Sequence, residues 1–304
     1  MTPGALAYTG AMRVETGDGL PAVDQPHASG RRRGMVARTR VLTVDGDTRR
    51  RRSDRLAAEE PLEIRVEAPG TPQERVAVTM RTPGNDFELA VGFLFTEGLI
   101  TGRADVTRVR YCVVPREEQH YNVVTVDLTG PFDAGALQRN FYATSSCGIC
   151  GKAALEMVEV RCAPVAAGPV VEPDVIRSLP DRLREAQAVF ERTGGLHAAG
   201  LFDASGTALA VREDVGRHNA VDKVVGERYL AGQIPADGTI LQVSGRASFE
   251  IVQKAAVAGI PIVSAVSAPS SLAVEAAERF GMTLVGFVRD GRANVYSHAE
   301  RVPA

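Results

Sequence analysis

Two thiols stand three positions apart in this chain, within a segment of small and hydroxylated residues at 144–151. Cys147 and Cys150 come just before residues 151–161, whose pattern predicts a helix. The unpaired N–H groups at a helix N-terminus favour a thiolate over a thiol, and Lys152 adds positive charge nearby. We therefore predict a nucleophilic thiolate that can attack another sulfur atom.

Three kinds of chemistry fit the C-x-x-C spacing. A structural zinc ion needs four nitrogen or sulfur ligands, and Cys162 and His197 are the candidates to complete the set. Cys162 also falls on the apolar face of the predicted helix, which favours a core thiol. A redox dithiol is the second interpretation, although the usual context of a small βαβ fold is missing. Sulfur carriage through a persulfide is the third, and the spacing alone does not choose among them.

Polar turns at three successive strand ends in the second half predict a site for an anion. The strand at residues 240–243 runs into Ser244, Gly245 and Arg246, and the strand at residues 262–266 runs into a serine-rich turn. Such turns present free N–H groups to an anion. In open α/β sheets, ligands bind beyond the carboxyl ends of the strands, so we expect these turns to face one pocket.

The third strand end adds guanidinium groups, which suit forked contacts to phosphate. Its residues are Phe287, Val288, Arg289, Asp290, Gly291 and Arg292. Each of the three turns alone is better explained as an ordinary turn or helix cap, with Ser270 or Ser271 as an N-cap. Together they favour a phosphate-bearing ligand, although the glycine patterns of a P-loop and of a Rossmann site are both absent.

Residues 212–223 form a cluster that is dense in polar groups. Asn219 and Asp222 have the spacing of a capping box, which explains both without a function. His218 lies four residues before Asp222, so we expect the two to share a helix face, where the imidazole can move protons or position a ligand. His197 precedes a strand among small residues, which allows either close approach of a ligand or simple tight packing.

The elements that must position these groups divide the chain near residue 143. Residues 56–143 are predicted to form a smaller, β-rich N-terminal subdomain with one helix at residues 87–99. Its predicted strands are residues 62–66, 76–80, 106–114 and 121–128.

Residues 144–304 are predicted to form a second domain, in which strands and helices alternate with short connections. That rhythm is typical of an α/β fold, here a three-layer sandwich with a largely parallel sheet. The predicted helices are residues 151–161, 173–193, 221–229, 249–258 and 272–280. The predicted strands are residues 198–202, 208–213, 240–243, 262–266, 284–288 and 293–296.

The composition excludes several classes of protein. The chain has 304 residues and a net charge of −2, from 35 basic and 37 acidic residues, so it is not a generally basic nucleic-acid binder. No apolar run reaches the length of about 18 residues that a membrane span needs. Four cysteines are too few for a disulfide scaffold, and Cys112, in a strand-like segment, is predicted to be a structural thiol.

Residues 1–55 are predicted to be a disordered, arginine-rich tail. We interpret the arginine runs at residues 31–33 and 49–52 as parts of a solvated tail, the alternative being contacts to an acidic partner or to RNA. The tail lacks the continuous apolar stretch of a secretory signal, which predicts a cytoplasmic protein with reduced thiols.

Taken together, these segments resemble the FdhD family, the formate dehydrogenase accessory sulfurtransferases. The resemblance runs in order from about residue 55 to the end of the chain, through long and specific motifs. Those motifs are residues 59–64, 80–90, 145–151, 195–199, 212–223 and 244–246.

The resemblance implies a function. Family members receive sulfur from a cysteine desulfurase and pass it to the molybdenum cofactor of formate dehydrogenase, a bis-guanine-dinucleotide form (Mo-bis-molybdopterin guanine dinucleotide) that is rich in phosphate. Cys147 corresponds to the persulfide-bearing cysteine of the family, and Cys150 to an auxiliary thiol that either relays the sulfur or resolves the persulfide as a disulfide. Residues 287–292 correspond to the cofactor-binding segment of the family, to which residues 244–246 and His218 add candidate contacts.

The resemblance also implies a cytidine-deaminase-like sandwich in the larger part of the chain, and a homodimer. The chain departs from deaminases themselves, because His197 does not begin an H-x-E motif and no P-C-x-x-C follows it. Deaminase chemistry and a resident metal are therefore not expected. The alternative functions are a chaperone that binds and delivers the molybdenum cofactor without moving sulfur, and a zinc-dependent enzyme.

Overall fold

A computed structural model describes the backbone of residues 22–24 and, with side chains, residues 34–112, 120–132 and 164–303. Cys147, Cys150 and Cys162 lie outside the described residues, as do the predicted helix at residues 151–161 and the predicted boundary at residue 143. Within the described ranges, no helix is long and apolar enough to cross a membrane.

Most of the predicted elements that fall in the described ranges are present, within a few residues of their predicted bounds. The strands are β1 (Ala22–Asp24), β2 (Val36–Asp45), β3 (Thr48–Ala57), β4 (Glu60–Glu67), β5 (Glu74–Arg81), β6 (Val106–Tyr111), β7 (Val123–Leu128), β8 (His197–Phe202), β9 (Ala208–Asp214), β10 (Ile240–Val243), β11 (Ile262–Ala265), β12 (Thr283–Arg289) and β13 (Arg292–Ser297). The helices are α1 (Asp86–Thr96), α2 (Pro173–Glu185), α3 (Ala188–Thr193), α4 (Arg217–Leu230), α5 (Phe249–Val257) and α6 (Ser271–Arg279).

The first sheet has the strand order β1-β6-β7-β4-β5. β4 and β5 are antiparallel neighbours, as are β6 and β7, whereas β7 runs parallel to β4. In β4, Leu62, Ile64 and Val66 are buried and alternate with more exposed residues, because successive side chains of a strand point to opposite faces. They belong to one apolar core with Leu89 and Leu94 of α1, so this sheet and its helix form as predicted.

The second sheet is mixed, with the strand order β13-β12-β11-β10-β8-β9. Parallel pairing is confined to the centre, where β11 lies between β10 and β12. The prediction of a largely parallel sheet is therefore wrong. The physical reason is that β8 with β9 and β12 with β13 are hairpins, and a short turn joins strands only in the antiparallel sense.

Helices cover both faces of the second sheet, as the predicted three-layer arrangement requires. Ile240 of β10 packs into a core with Ile176 and Leu179 of α2. The next residue, Leu241, points the other way and joins the larger core, to which α4, α5 and α6 contribute. A mixed α/β fold is thus confirmed, whereas the specific likeness to cytidine deaminase stays a prediction.

The two sheets are joined by α1 and α4, whose backbones touch at two glycines. A Cβ atom on Gly92 would lie 1.8 Å from the carbonyl oxygen of Asp222, and a Cβ atom on Gly226 would lie 1.9 Å from that of Glu88. No larger residue fits at either position unless the helices move apart. One core therefore runs continuously from the first sheet to the second.

The prediction of a disordered tail over residues 1–55 is wrong for its second half. β2 and β3 form an antiparallel hairpin, with Val36 opposite Ala57 and Asp45 opposite Thr48. Gly46, which follows Asp45, has a φ of 55°, the left-handed conformation that a tight hairpin turn needs. The Gly46-Asp47 pair, which forms the two-residue loop between Asp45 and Thr48, was a local hairpin signal, and the high arginine content of the segment concealed it.

The single helix predicted over residues 173–193 is interrupted, and it forms α2 and α3 instead. The carboxylate of Glu213, at the end of β9, accepts hydrogen bonds from the N–H groups of Val189 (2.9 Å) and Phe190 (2.7 Å). These N–H groups belong to the first turn of α3, where they have no partner within the helix. A side chain distant in sequence thus fixes a second helix start, which no local pattern reveals.

Candidate anion-binding site

The three turns predicted to bind an anion lie side by side at one edge of the second sheet. The N–H of Ser267 donates to the carbonyl oxygen of Gly245 (3.3 Å), and the N–H of Phe287 donates to that of Ser267 (3.2 Å). They meet because β10, β11 and β12 are parallel neighbours, so that their carboxyl ends reach the same edge. The turns therefore adjoin at one sheet edge, whereas the expectation that they face one pocket stays a prediction.

The turn after β10 is held by its own serine. The Ser244 hydroxyl accepts a hydrogen bond from the N–H of Ala198 (2.9 Å), and the Ser244 N–H donates to the carbonyl oxygen of the same residue (3.0 Å). This hydroxyl thus fixes the turn to β8. Gly245 and the exposed Arg246 are the members of the predicted triplet that remain for an anion.

The close approach of β12 to the second turn requires a glycine. A Cβ atom on Gly286 would lie 2.8 Å from Cδ of Pro269 and 3.3 Å from the carbonyl oxygen of Ser267. The pairing of β12 with β13 is irregular directly afterwards, and Phe287 has a φ of 52°. A positive φ is uncommon for an aromatic residue, so the structure holds this ring in a strained backbone at the edge of the site.

The segment at residues 287–292 contains residues with different roles. Asp290 (φ 52°) and Gly291 (φ 71°) form the two-residue turn between β12 and β13, which explains both by backbone geometry. The Val288 side chain is fully buried in the core beneath α2, so only its backbone can face a ligand. Arg289 and Arg292 lie opposite each other beside the turn and are exposed.

Arg289 and Phe287 form a pair that suits a nucleotide. The guanidinium carbon lies 5.6 Å from the centroid of the Phe287 ring, which is within the range of a cation–π contact. The arginine offers a fork for phosphate oxygens, and a half-exposed aromatic ring offers a surface on which a base can stack.

His218 links the first turn of α4 to the first turn of α5. Its Nε2 atom lies 3.3 Å from the Ser248 hydroxyl and 3.9 Å from a carboxylate oxygen of Glu250. Burial, followed by the positive charges of Arg217 and Lys254, lowers the pKa of His218 to about 4. The imidazole is therefore neutral near pH 7, and it can accept or donate a hydrogen bond.

His197 lies at the same edge of the sheet, on the antiparallel neighbour of β10. Its ring nitrogen Nδ1 is 3.5 Å from the point where a Cβ atom on Gly245 would lie. Burial and the charge of Arg217 lower the pKa of His197, against the opposing effect of Asp214. The Nε atom of Arg217 is itself buried and, among the described residues, has no hydrogen-bond partner.

The polar cluster at residues 212–223 is mainly internal, and the prediction of a capping box in it is wrong. α4 begins after Gly216, so Asn219 and Asp222 are not a capping box, and the Asn219 amide instead donates to Asp214 (3.0 Å). Asp222 is bound by Thr96 (2.8 Å) and Lys254 (2.9 Å) rather than paired with His218. Spacing alone could not show this, because the partners come from α1 and α5.

Sequence reasoning missed Glu250 at the site and Thr82 in the buried network beside it. Burial acts to raise the pKa of Glu250. Hydrogen bonds outweigh this effect, above all the one that the carboxylate accepts from the Ser248 hydroxyl, so the pKa is lowered. A serine followed by an acidic residue at a predicted helix start was a usable signal. Nothing local marked Thr82, which bonds to groups more than 130 positions further along the chain.

The described residues do not assemble a metal site. No three His, Cys, Asp or Glu side chains within the described ranges are placed to hold an ion together. Cys112 is half-buried directly after β6, and its N–H donates to the carbonyl oxygen of Val123 (2.9 Å). The other cysteines of the zinc hypothesis lie outside the described residues.

The chain shares its fold with a formate dehydrogenase accessory protein of known structure. It matches the crystal structure of a protein from Desulfotalea psychrophila, assigned as a formate dehydrogenase accessory protein, with a TM-score of 0.69 and 26% identity. The match covers 88% of this chain and 100% of that one.

The sequence comparison narrows the class to one family. The model of the FdhD/NarQ family matches residues 57–303, and the chain belongs to this family. Relatives called sulfur carrier protein FdhD include those of Mycolicibacterium paratuberculosis, 51% identical over 88% of this chain and 99% of theirs, and of Mycobacterium tuberculosis, 52% identical over 88% and 98%. The protein of that name from Streptomyces coelicolor is 50% identical over 88% of this chain and 96% of its own.

Proposed function

We propose that this protein is a sulfurtransferase that carries sulfur to the molybdenum cofactor of formate dehydrogenase, with Cys147 as the persulfide-bearing residue. The relatives that match this chain over nearly their whole length are called sulfur carrier protein FdhD, which supports the general role. The observation that supports the cofactor part is that the three turns predicted to bind an anion adjoin at one sheet edge. A homodimer and a cytoplasmic location belong to the same proposal.

The first step is a displacement at sulfur. The Cys147 thiolate attacks the outer sulfur of the persulfide on a cysteine desulfurase, and the desulfurase thiolate leaves. Cys147 then carries the sulfane sulfur as its own persulfide. The outer sulfur passes to the molybdenum of the bound substrate and the Cys147 thiolate is released. Because sulfane sulfur must gain two electrons to become a sulfido ligand, the metal goes from Mo(IV) to Mo(VI).

The sheet edge would hold the guanine dinucleotide part of this cargo. The Gly245 backbone, Arg246 and Arg289 are suited to its phosphates, and the Phe287 ring is suited to a guanine. The neutral imidazole of His218 adds a group that can donate or accept, between the starts of two helices. Cys150 has either of two roles, relaying the sulfur or releasing it by disulfide formation.

Mass spectrometry after incubation with a desulfurase and cysteine tests the sulfur step. We expect one added sulfur on the peptide that contains Cys147, lost on reduction. The variant Cys147→Ala should take up none, whereas Cys150→Ala should still load, and both should bind guanosine diphosphate normally. Normal activation of formate dehydrogenase by Cys147→Ala would overturn the assignment.

A cofactor chaperone is the second candidate, because the three adjoining turns and the Phe287–Arg289 pair suit a nucleotide whether or not sulfur is transferred. In that case the thiol variants would deliver the cofactor as well as the unmodified chain does. Variants of the turns, such as Arg289→Ser, would fail. Comparing the two sets of variants in one activation assay separates the two functions.

A further inference from the structure

The β2–β3 hairpin carries a charged surface that the proposed function does not use. Alternate residues of a strand share a side, and directly opposite residues of an antiparallel pair lie on the same side. The register pairs Arg38 with Arg55 and places residues 40, 42 and 44 opposite residues 53, 51 and 49. One side of the hairpin therefore carries five arginines, and we call it the arginine face: Arg38, Arg40, Arg49, Arg51 and Arg55.

Nothing within the hairpin neutralises the arginine face. Its remaining members are Val36, Leu42, Val44, Ser53 and Ala57, none of them acidic. All five arginines are exposed, and among the described residues none of them takes part in an ion pair. The opposite side differs, because Arg52 there donates to Thr43 (2.9 Å) and to Asp54 (3.2 Å).

Exposed aliphatic side chains lie among these charges near the turn of the hairpin. Leu42 is 54% exposed and Val44 is 62% exposed, and they lie opposite Arg51 and Arg49. Large aliphatic groups that are exposed together on one side mark interaction surfaces more often than scattered single ones do. The arginine face thus offers cations along its length and an apolar end.

We propose that the arginine face is a docking surface for an acidic segment of a partner protein that also carries aliphatic side chains. Arg51 and Arg55 are four residues apart on β3, about 13 Å, which is also the distance between carboxylates four positions apart on an extended partner chain. Guanidinium groups bind carboxylates through two parallel hydrogen bonds. Leu42 and Val44 then find apolar partners, which carboxylates alone cannot supply.

Two other occupants fit the face less well. A second copy of this chain, related by a two-fold axis through the face, would bring arginines against arginines, which is repulsive. A nucleic acid supplies phosphates but leaves most of the apolar end without a partner, and the chain as a whole has a net charge of −2. The five arginines lie outside residues 57–303, to which the family model applies, and none of them is assigned a part in the proposed sulfur chemistry.

Fluorescence anisotropy on the full chain tests the proposal. The probe is a labelled peptide of repeating Glu-Ser-Leu-Ser sequence, about as long as one strand of the hairpin, and a duplex DNA of the same charge serves as competitor. Arg51 and Arg50 are neighbours on β3 that point to opposite sides, so Arg51→Glu and Arg50→Glu are matched charge reversals. We expect Arg51→Glu to weaken peptide binding about tenfold at low salt and Arg50→Glu to change it little.

Further measurements address the apolar end and the alternatives. Leu42→Ser should weaken binding of the Glu-Ser-Leu-Ser peptide. It should not change the binding of a peptide that has serine in place of leucine. Equal effects of Arg50→Glu and Arg51→Glu would overturn the proposal. Tighter binding of the DNA than of the peptide would also overturn it. So would sedimentation in which the unmodified chain self-associates and Arg51→Glu does not.

Discussion

The Asp214 carboxylate lies 2.7 Å from the Lys223 ammonium group, and both side chains are fully buried. The carboxylate also accepts the N–H of Thr82 (3.1 Å), while the ammonium donates to the carbonyl oxygen of the same residue (3.0 Å). The pair thus connects Thr82, the residue after β5 in the first sheet, to β9 of the second sheet and to α4. It lies within residues 212–223, one of the segments that carry the resemblance to the family, and its role in the structure is to join the two sheets.

Removing one partner of this pair should destabilise the protein strongly. Lys223→Met leaves a buried carboxylate without its countercharge, and such a loss costs about 3–5 kcal/mol. Urea denaturation followed by circular dichroism measures the change in the free energy of unfolding. As a control, Arg177→Met removes an exposed partner of Asp174 and should cost less than about 1 kcal/mol. Similar losses for the two variants would contradict a structural role for the buried pair.

The contact between α1 and α4 predicts that alanine is not tolerated at Gly226. Its Cβ atom would overlap the Glu88 carbonyl group, so the helices must separate, at a cost of about 3 kcal/mol or more. This loss should exceed the gain in helix propensity of about 1 kcal/mol that alanine brings. Gly238→Ala is the control, because a Cβ atom there has no neighbour within 4 Å. Thermal unfolding of both variants makes the comparison, and an unchanged midpoint for Gly226→Ala would argue against the contact.

The lowered pKa of His218 predicts a pH dependence of stability. The folded protein binds a proton at His218 only near pH 4, whereas the unfolded chain does so near its usual pKa of 6.5. Stability from this group is therefore fully present above pH 6.5 and is lost as the pH falls toward 4. His218→Gln should flatten the dependence of the free energy of unfolding on pH in this window, as urea titrations at several pH values can show.

His298 predicts a pH dependence of stability with the opposite sign, which the same urea titrations can measure. Hydrogen bonds to the Glu278 carbonyl oxygen and the Glu300 carboxylate raise its pKa, so its contribution is present below pH 6.5 and disappears as the pH rises through the folded value. His298→Gln should therefore remove stability on the acid side. NMR titration of both imidazoles gives a direct check, and a midpoint for His218 near 6.5 would refute the prediction.

Nucleotide binding tests the role of the sheet edge. Arg289→Ser removes a guanidinium that we assign to phosphate, and a hydrogen bond to a charged group is worth about 1.5–3 kcal/mol, or roughly tenfold or more in affinity. Calorimetry with guanosine diphosphate measures this change, with Arg177→Ser on α2 as the control. We expect the effect to shrink at high salt. If both variants bind equally well, the segment at residues 287–292 is not a phosphate site.

The sequence allowed much of the fold to be predicted, because most of its elements carry their own periodicity. Alternation in β4 and the apolar face of α4 are local signals, and both elements form as expected. The same holds for the Ser270 cap of α6, whose hydroxyl accepts the Ala273 N–H (3.2 Å). The break between α2 and α3 was missed, since it depends on Glu213 from another strand.

The candidate site was partly predictable for the same reason. The turn at Gly245 and the turn at Ser267 follow strand ends, and neighbouring parallel strands bring them together without further information. The partners of Asp222 and Asn219 come from α1, α5 and β5, so the spacing within one helix does not reveal them. Long-range polar pairing is the kind of contact that a single sequence does not encode locally.

The backbones of α1 and α4 touch, which leaves no space for a hinge between the two sheets. With Gly92 and Gly226 in direct contact across the helix pair, a hinge motion between the two sheets would break the packing of α1 on α4. If the strand ends bind a nucleotide as we propose, we expect side chains and short loops to move during binding rather than the two sheets.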